Sequence, residues 1–330
     1  MECVPFESGL IPQAAELVAS RQAEQSKQFK LLPTQYEASE SAKTAVDKAW
    51  GRELATGAAI LEGNQLLGYL FGDISDNELR GKSAWIRLAG HCLKSDQDWE
   101  LMRDLYQAAA SIWVERGCFN HFAITFADPE SLKPWENLVF AREQIYALRE
   151  ITNSQPVEMP KDLEIRRATA SDADIFRRFS TIILGTQSQS PSFAPAHSAH
   201  VEKMREGYAG VPVDADAISW LALVDGEPVG FIAFFPPEKE GFELMIPEDA
   251  IELTISGTLS EVQAQGVGTA LVEHALRELS RRGFKYCMAD WHVPNLLSSR
   301  FWPKRGFTPV VYRMKRVIAP HILEAQVSIP

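Results

Sequence analysis

Apolar and polar positions alternate along this chain in two characteristic periods. In the second half, LEIRRA at 163–168 follows a period of two and predicts a strand, and Thr169-Ala170-Ser171-Asp172 supplies cap residues for a helix over 172–183. A polar, Pro- and Ser-rich stretch from 185 to about 200 leads to a second helix near 201–208. Two apolar runs separated by an acidic-Gly turn predict a hairpin over 218–235. A strand at 251–258, a helix at 267–282, a strand at 284–292, a helix at about 295–304 and a last strand at 307–316 complete the series. In the long helix, Leu271, Val272, Ala275, Leu276 and Leu279 share one face, and Gly283 ends it. Strands followed by strand-helix-strand predict an α+β fold with a mixed, mostly antiparallel sheet flanked by helices.

The first half repeats this pattern. LEGNQLLGYLFG at 61–72 resembles VDGEPVGFIAFF at 224–235, FNHFAITF after Arg116-Gly117 resembles KYCMADWHV after Arg282-Gly283, and WENLVF at 135–140 resembles WPKRGF at 302–307. The offset stays between about 162 and 167 while order is kept, which points to two tandem copies of one domain. The expected boundaries are 1–151 for the first copy and 163–330 for the second, joined by the polar, proline-bounded linker 152–162. A length of 330 residues agrees, since domains usually run to about 100–200 residues.

Composition narrows the function classes. The chain is formally -11 at pH 7, which disfavours a general nucleic-acid or anionic-membrane surface. No apolar run reaches the roughly 18 residues of a spanning helix, and Glu2 stands where a signal peptide would carry basic charge, so a soluble cytosolic protein is expected. Cys3, Cys92, Cys118 and Cys287 lie far apart without metal-ligand spacing; buried reduced thiols and no metal site are expected. Ten of the basic residues crowd between Arg277 and Arg316, where an anionic ligand would be favoured. Oligomeric state leaves no signature in the chain.

The distinctive chemistry lies before the long helix. A helix opening on Gln263-Ala264-Gln265-Gly266-Val267-Gly268-Thr269 presents unpaired N–H groups and the positive end of its dipole, with no Cβ at the two glycines to hold off a diphosphate. Gln263, Gly266 and Gly268 fit Gln/Arg-x-x-Gly-x-Gly/Ala, and downstream Asn295, Ser298, Phe301-Trp302 and Gly306-Phe307 follow in order. Together these segments resemble the acetyl-coenzyme A motifs of the GCN5-related N-acetyltransferases (GNAT), well over 163–316 and weakly, through the repeat, over 1–150.

The resemblance implies acetyl-CoA as cosubstrate and an amine as acceptor. It implies that the strand before the loop bulges and splays, so that backbone groups around Ser256, Gly257 and Thr258 bind the pantetheine arm and polarise the thioester. The amides of 263–269 would hold the pyrophosphate, Asn295 would bind the coenzyme directly or through water, Ser298 belongs to the same motif, and Phe301 would pack beside the pantetheine. Arg300, Lys304 and Arg305 would serve the distal phosphates or form a solvated basic face.

Amine acetylation needs a base, and Glu252, eleven residues before Gln263, stands at the spacing the family uses; His292 at a strand end is the other base candidate. The family's acid is a tyrosine where this chain has Trp302, whose N–H cannot supply a proton. Tyr312 or Tyr286 would substitute, or the thiolate, with a pKa near 8.5, would leave unaided. His197 and His200 fall in the segment that helps cover the acceptor, and the loop 236–250 is expected to line it.

In the first copy, Gln97, Asp98, Trp99, Glu100, Leu101 and Met102 stand where 263–268 would, both glycines are gone, and no coenzyme site is expected. A non-catalytic coenzyme-binding module is the alternative to an active acetyltransferase.

Overall fold

A computed structural model describes residues 1–78, 80–152, 158–194 and 198–327. Residues 153–157 of the expected linker lie outside the described residues, as do His197 and the side chain of His200. In chain order the first repeat forms β1 (Glu2–Pro5), α1 (Ile11–Gln28), α2 (Ser39–Trp50), β2 (Thr56–Glu62), β3 (Gln65–Asn77), β4 (Gly81–Ile86), β5 (His91–Leu93), α3 (Glu100–Glu115), β6 (Asn120–Phe126), α4 (Pro129–Asn137) and β7 (Ala141–Glu150). The second forms β8 (Leu163–Arg167), α5 (Ala173–Gln187), α6 (Ser198–Gly210), β9 (Ile218–Val224), β10 (Glu227–Phe235), β11 (Ala250–Thr258), α7 (Val267–Arg281), β12 (Tyr286–His292), α8 (Leu296–Phe301), β13 (Thr308–Val317) and α9 (Ile322–Val327). Apart from β5 in the first and α9 in the second, the two series run in the same order, and the fold is the α+β tandem architecture that the repeat requires.

Contacts divide the chain into two compact units, each built from separated stretches: Met1–Ile145 with Lys239–Ile246 and Pro309–Pro330, and Tyr146–Glu238 with Pro247–Thr308. In the first unit the strands run β1-β2-β3-β4-β6-β13-β7, with β5 beside β3. Helices α3 and α4 bury Leu105, Tyr106, Ala109, Trp113, Leu132 and Trp135 against Ile60, Leu70, Ala123 and Met314. In the second unit the order is β7-β12-β11-β10-β9-β8. Here α5 and α6 cover one face, packing Phe176, Phe179 and Tyr208 on Leu221, Leu223, Phe231 and Ala233. Helix α7 covers the other and buries Leu271, Val272, Ala275, Leu276 and Leu279, the face that periodicity marked.

The units differ from the boundaries drawn on sequence. Most of β13 belongs to the first unit, where it pairs with β6 from Val311 opposite Phe126 to Val317 opposite Asn120. The end of β7 belongs to the second, and the Ile151 N–H donates to the Lys285 carbonyl at 2.9 Å. Part of the loop expected to line an acceptor pocket, Lys239–Ile246, belongs to the first unit: Leu244, Met245 and Ile246 are buried and Gln22 Nε2 donates to the Leu244 carbonyl at 2.9 Å. A polar linker marks where the chain is covalently loose; strand neighbours are chosen by hydrogen bonds the linker does not report. Three cysteines are buried as expected, but Cys3 is exposed on an end strand.

Within the second unit Arg149, near the end of β7, forms a two-pronged ion pair with Glu273 of α7 at 2.8 and 2.7 Å. Both side chains are largely buried, so neither charge has water as an alternative partner. Replacing Arg149 with Met strands the Glu273 carboxylate. It should cost about 3–5 kcal/mol of stability, read as a lower urea midpoint, with Lys recovering only part of the loss.

Candidate functional site

The site forms where two parallel strands of the second unit part. β11 and β12 pair from Ala250 opposite Tyr286 to Leu253 opposite Ala289, and there their ladder ends. β11 continues to Thr258 and β12 to His292, opening a wedge between them. The cause is local: on the other side of β11, Ala233 pairs with Ile255 and Phe234 with Leu253, so Thr254 is an extra residue, a bulge that turns the strand away. Beyond it, Ser256, Gly257 and Thr258 pair only with β10. Strand backbones alternate the direction of their polar groups, so this stretch offers N–H and C=O groups to the wedge. Gly257 has a separate reason to be glycine, since a Cβ there would sit 2.9 Å from Ile182 of α5.

Alternation sorts the wedge residues by face. Phe231, Ala233 and Phe235 face α5 and α6, and Glu252, opposite Phe235, shares their side. Met288 is opposite Glu252, so Asp290 and His292 lie on that side too. Ser256, Thr258, Ala289 and Trp291 fall on the α7 side.

There the cradle opens. Gly266 takes φ +85° and ψ -9° at the start of α7, and Ala264 also has positive φ, at +60°. The left-handed conformation suits glycine and strains other residues, so Gly266 is required by the turn itself. No side chain caps α7 and no acidic residue occupies its first turn. The N–H groups of Val267, Gly268 and Thr269 precede the first intrahelical bond, from Ala270 to the Gly266 carbonyl at 2.9 Å, and point from the exposed helix end. A methyl group on Gly268 would stand 3.8 Å from both the Phe301 ring and the Thr258 methyl. The bulged strand, the cradle and α8 therefore meet at one place, and the Arg305 guanidinium lies 5.9 Å from the Phe301 ring centroid. Pro160 approaches Gly266 from the chain preceding β8.

Asn295 is buried and caps α8, its Oδ1 accepting the Ser298 N–H at 3.2 Å. One of its polar atoms thus holds the backbone. Gln263 and Gln265 are exposed, and Gln265 Nε2 donates to the Glu261 carbonyl at 2.7 Å.

On the opposite face, Glu252 is pushed up to about 7 by burial first and by the neighbouring charges of Asp290 and Glu238, against a Glu238 N–H bond that favours the anion. A carboxyl group so placed exchanges its proton near neutrality. Asp290 and Glu238 were invisible to the sequence reading because their approach depends on the parallel pairing and on the chain after β10. Asp290, two positions before His292 in a strand, was the available signal.

Tyr286 begins β12, and six residues of strand, roughly 20 Å, separate it from His292 at the wedge end. Tyr312, read from the sequence as a substitute acid, belongs to the first unit, opposite Thr125 of β6, with the Arg142 guanidinium over its ring at 5.1 Å. The exchange of β13 carries it there. Trp302 is buried between Phe301 and Phe307, a packing residue.

A bulged strand, a wedge and an uncapped glycine cradle coincide with a match of residues 186–307 to the acetyltransferase (GNAT) family. Residues 186–307, within the second repeat, are thus a GNAT-family segment. Among solved structures it is similar to a GCN5-related N-acetyltransferase from Sphaerobacter thermophilus, at 14% identity and TM-score 0.60, over 95% of this chain and 94% of that one. It is also similar to a tandem GNAT protein from the clavulanic acid biosynthesis pathway, at 12% identity and TM-score 0.51, covering 95% and 97%. A glucosamine N-acetyltransferase region of a fungal multi-domain β-N-acetylglucosaminidase matches at 14% and TM-score 0.51, covering 95% of this chain and 38% of that one. No curated protein matches the sequence.

In the first unit the corresponding strands part in the same way, and carbonyl groups beside that fork are bonded within the protein. β4 and β6 part after Ile86 opposite Ala123, but the next carbonyl, of Ile124, accepts from His91 Nε2 at 2.9 Å. Burial holds His91 near pKa 3, so its ring stays neutral. Arg21 donates to the Leu88 and His91 carbonyls at 2.7 and 2.6 Å. At the start of α3 the Asp98 carboxylate accepts the Glu100 N–H at 2.9 Å, where an anion would bind. Among the described residues no group of three or more His, Cys, Asp or Glu is arranged for a metal ion, and no helix is long and apolar enough to cross a membrane.

Proposed function

We propose that the second unit is an N-acetyltransferase moving an acetyl group from acetyl-CoA to a primary amine, by direct attack in a ternary complex. The pyrophosphate rests on the amides of 264 and 266–269, the pantetheine arm runs along Ser256–Thr258 beside Phe301, and Asn295 Nδ2 donates to the coenzyme. The thioester lies in the wedge, where a β11 N–H polarises its carbonyl. The acceptor enters from the Glu252 face. Glu252 in its anionic form takes a proton from the ammonium group; the freed nitrogen attacks the thioester carbon, the C–S bond breaks, the nitrogen gives its second proton to water, and an amide and a coenzyme thiolate result. The thiolate leaves without an enzyme acid, as its intrinsic pKa near 8.5 permits. His292 shares the acceptor face as a second polar group.

The observation that carries this reading is the joining, through one wedge, of an open anion cradle on one face to a carboxyl group of pKa about 7 on the other. The first unit binds no coenzyme in this reading, its wedge and helix start being occupied by His91, Arg21 and Asp98. Calorimetric titration with acetyl-CoA should give one site per chain. Two sites would refute the self-filled first unit, and none would leave a module without its ligand. Binding without acetylation of any amine in a broad screen would favour a non-catalytic coenzyme-binding module.

A further inference from the structure

None of the residues of α8 is buried, so apolar packing along the helix does not fix where it stands. Helix α7, by contrast, buries residues from Val267 to Leu279. α8 is held at its two ends. At the first, Asn295 is its buried cap. At the second, hydrogen bonds carry the helix directly into a tight turn. Trp302 N–H donates to the Ser298 carbonyl at 3.0 Å, Gly306 N–H to Pro303 at 3.1 Å and Phe307 N–H to Trp302 at 3.2 Å.

That turn is where Arg149 passes. Gly306 takes φ +77°, and a Cβ there would meet the Nε, Cδ and Cγ of Arg149 at 3.6, 3.7 and 4.0 Å. The same side chain ends in the two-pronged pair with Glu273, roughly 9 Å along α7 from its open end. Arg149 therefore joins α7 to the turn behind α8, while Gly268 of α7 faces Phe301 of α8 at the mouth of the cradle. A planar guanidinium suits this place, because its stem lies along the turn while its fork fixes the carboxylate. We propose that Arg149 is a positioning residue for coenzyme binding: by tying Glu273 to the Gly306 turn, it holds α8 against α7 at the spacing the bound coenzyme needs. The inference rests on the reading of α7 and α8 as coenzyme-binding elements. It gives the first repeat a share in that site, since its last strand supplies the clamp.

Without the clamp, α8 samples other positions, and the coenzyme binds only the fraction of molecules in which it stands correctly. Arg149→Lys and Glu273→Gln each break the fork but keep one hydrogen bond between the two side chains, so both should fold. Titration calorimetry without denaturant should give Kd values for acetyl-CoA and for CoA about tenfold higher in either variant. The double variant should be no worse than the weaker single one, since one clamp is lost only once. In the free variants the amides of Ser299, Trp302 and Gly306 should exchange hydrogen faster than in wild type. Saturating CoA should restore their protection, and the amides of 270–279 should not change. A lower urea midpoint with unchanged coenzyme affinity would make the pair purely structural and overturns the proposal. So does an affinity loss with wild-type exchange at those three amides. Failure of the wild-type protein to bind CoA would overturn the coenzyme reading itself, and this inference with it.

Discussion

Gly268→Asp is expected to abolish useful acetyl-CoA binding while leaving the protein folded. Position 268 is the second residue of α7, its backbone is right-handed, and an added Cβ meets only ordinary contacts at 3.8 Å. Aspartate in a first helical turn interacts favourably with the dipole by about 0.3–1 kcal/mol, so stability should hold or rise slightly. The ligand pays the opposite sign: a carboxylate about 4 Å from a diphosphate charge costs about 4 kcal/mol at the dielectric typical of protein surfaces, several hundred-fold in Kd. Titration calorimetry and thermal unfolding on the same sample check both halves. Near-normal affinity would move the pyrophosphate away from this helix. Gly266 is a less clean target because any side chain at φ +85° also strains the turn.

Glu252→Gln should lower kcat/KM by about 10²–10³-fold while leaving acetyl-CoA affinity unchanged. Wild-type activity should rise with pH through about 7, where Glu252 loses its proton, and the variant should lose that limb. The stability effect has the reverse sign. A carboxyl group raised to about 7 in the folded protein, against an ordinary 4.5, keeps its proton between those values when the unfolded chain has lost it. Its contribution therefore favours the fold below about pH 4.5, falls as pH rises to 7, and is constant beyond. The full span is roughly 3 kcal/mol. The glutamine variant, which never ionises, should be more stable than wild type at pH 8 and show little difference at pH 4. A rate unchanged over pH 6–9 would exclude Glu252 as base.

The place of Glu252 on the strand before the loop was legible, because its spacing to Gln263 lies within one strand and one loop. Its perturbed proton was not: Asp290 stands on another strand and Glu238 follows a different one, and only the pairing of Glu252 with Met288 and Phe235 brings them near. The bulge was expected from the family resemblance, but its residue, Thr254, emerges only from the shift in register with β10. The cradle was legible for the same reason as Glu252, since Gly266 and Gly268 act through their own backbone. Asn295 was legible as a motif residue but not as a cap, because the Ser298 amide competes for its oxygen.

By itself, then, the sequence determined the two repeats, their element order, the buried face of α7, the glycine cradle and the loss of that cradle in the first copy. Each of these is encoded by spacing over a few residues or by what a side chain forbids to its own backbone. Tertiary structure decided that Tyr312 and most of β13 join the first unit, that Arg149 of the first repeat clamps Glu273 in the second, and that carbonyl groups beside the first fork are bonded by His91 and Arg21. Those outcomes depend on hydrogen bonds between residues tens to well over a hundred positions apart. A strand's edge looks the same to every neighbour, and its choice of neighbour is made only when the whole chain competes for it.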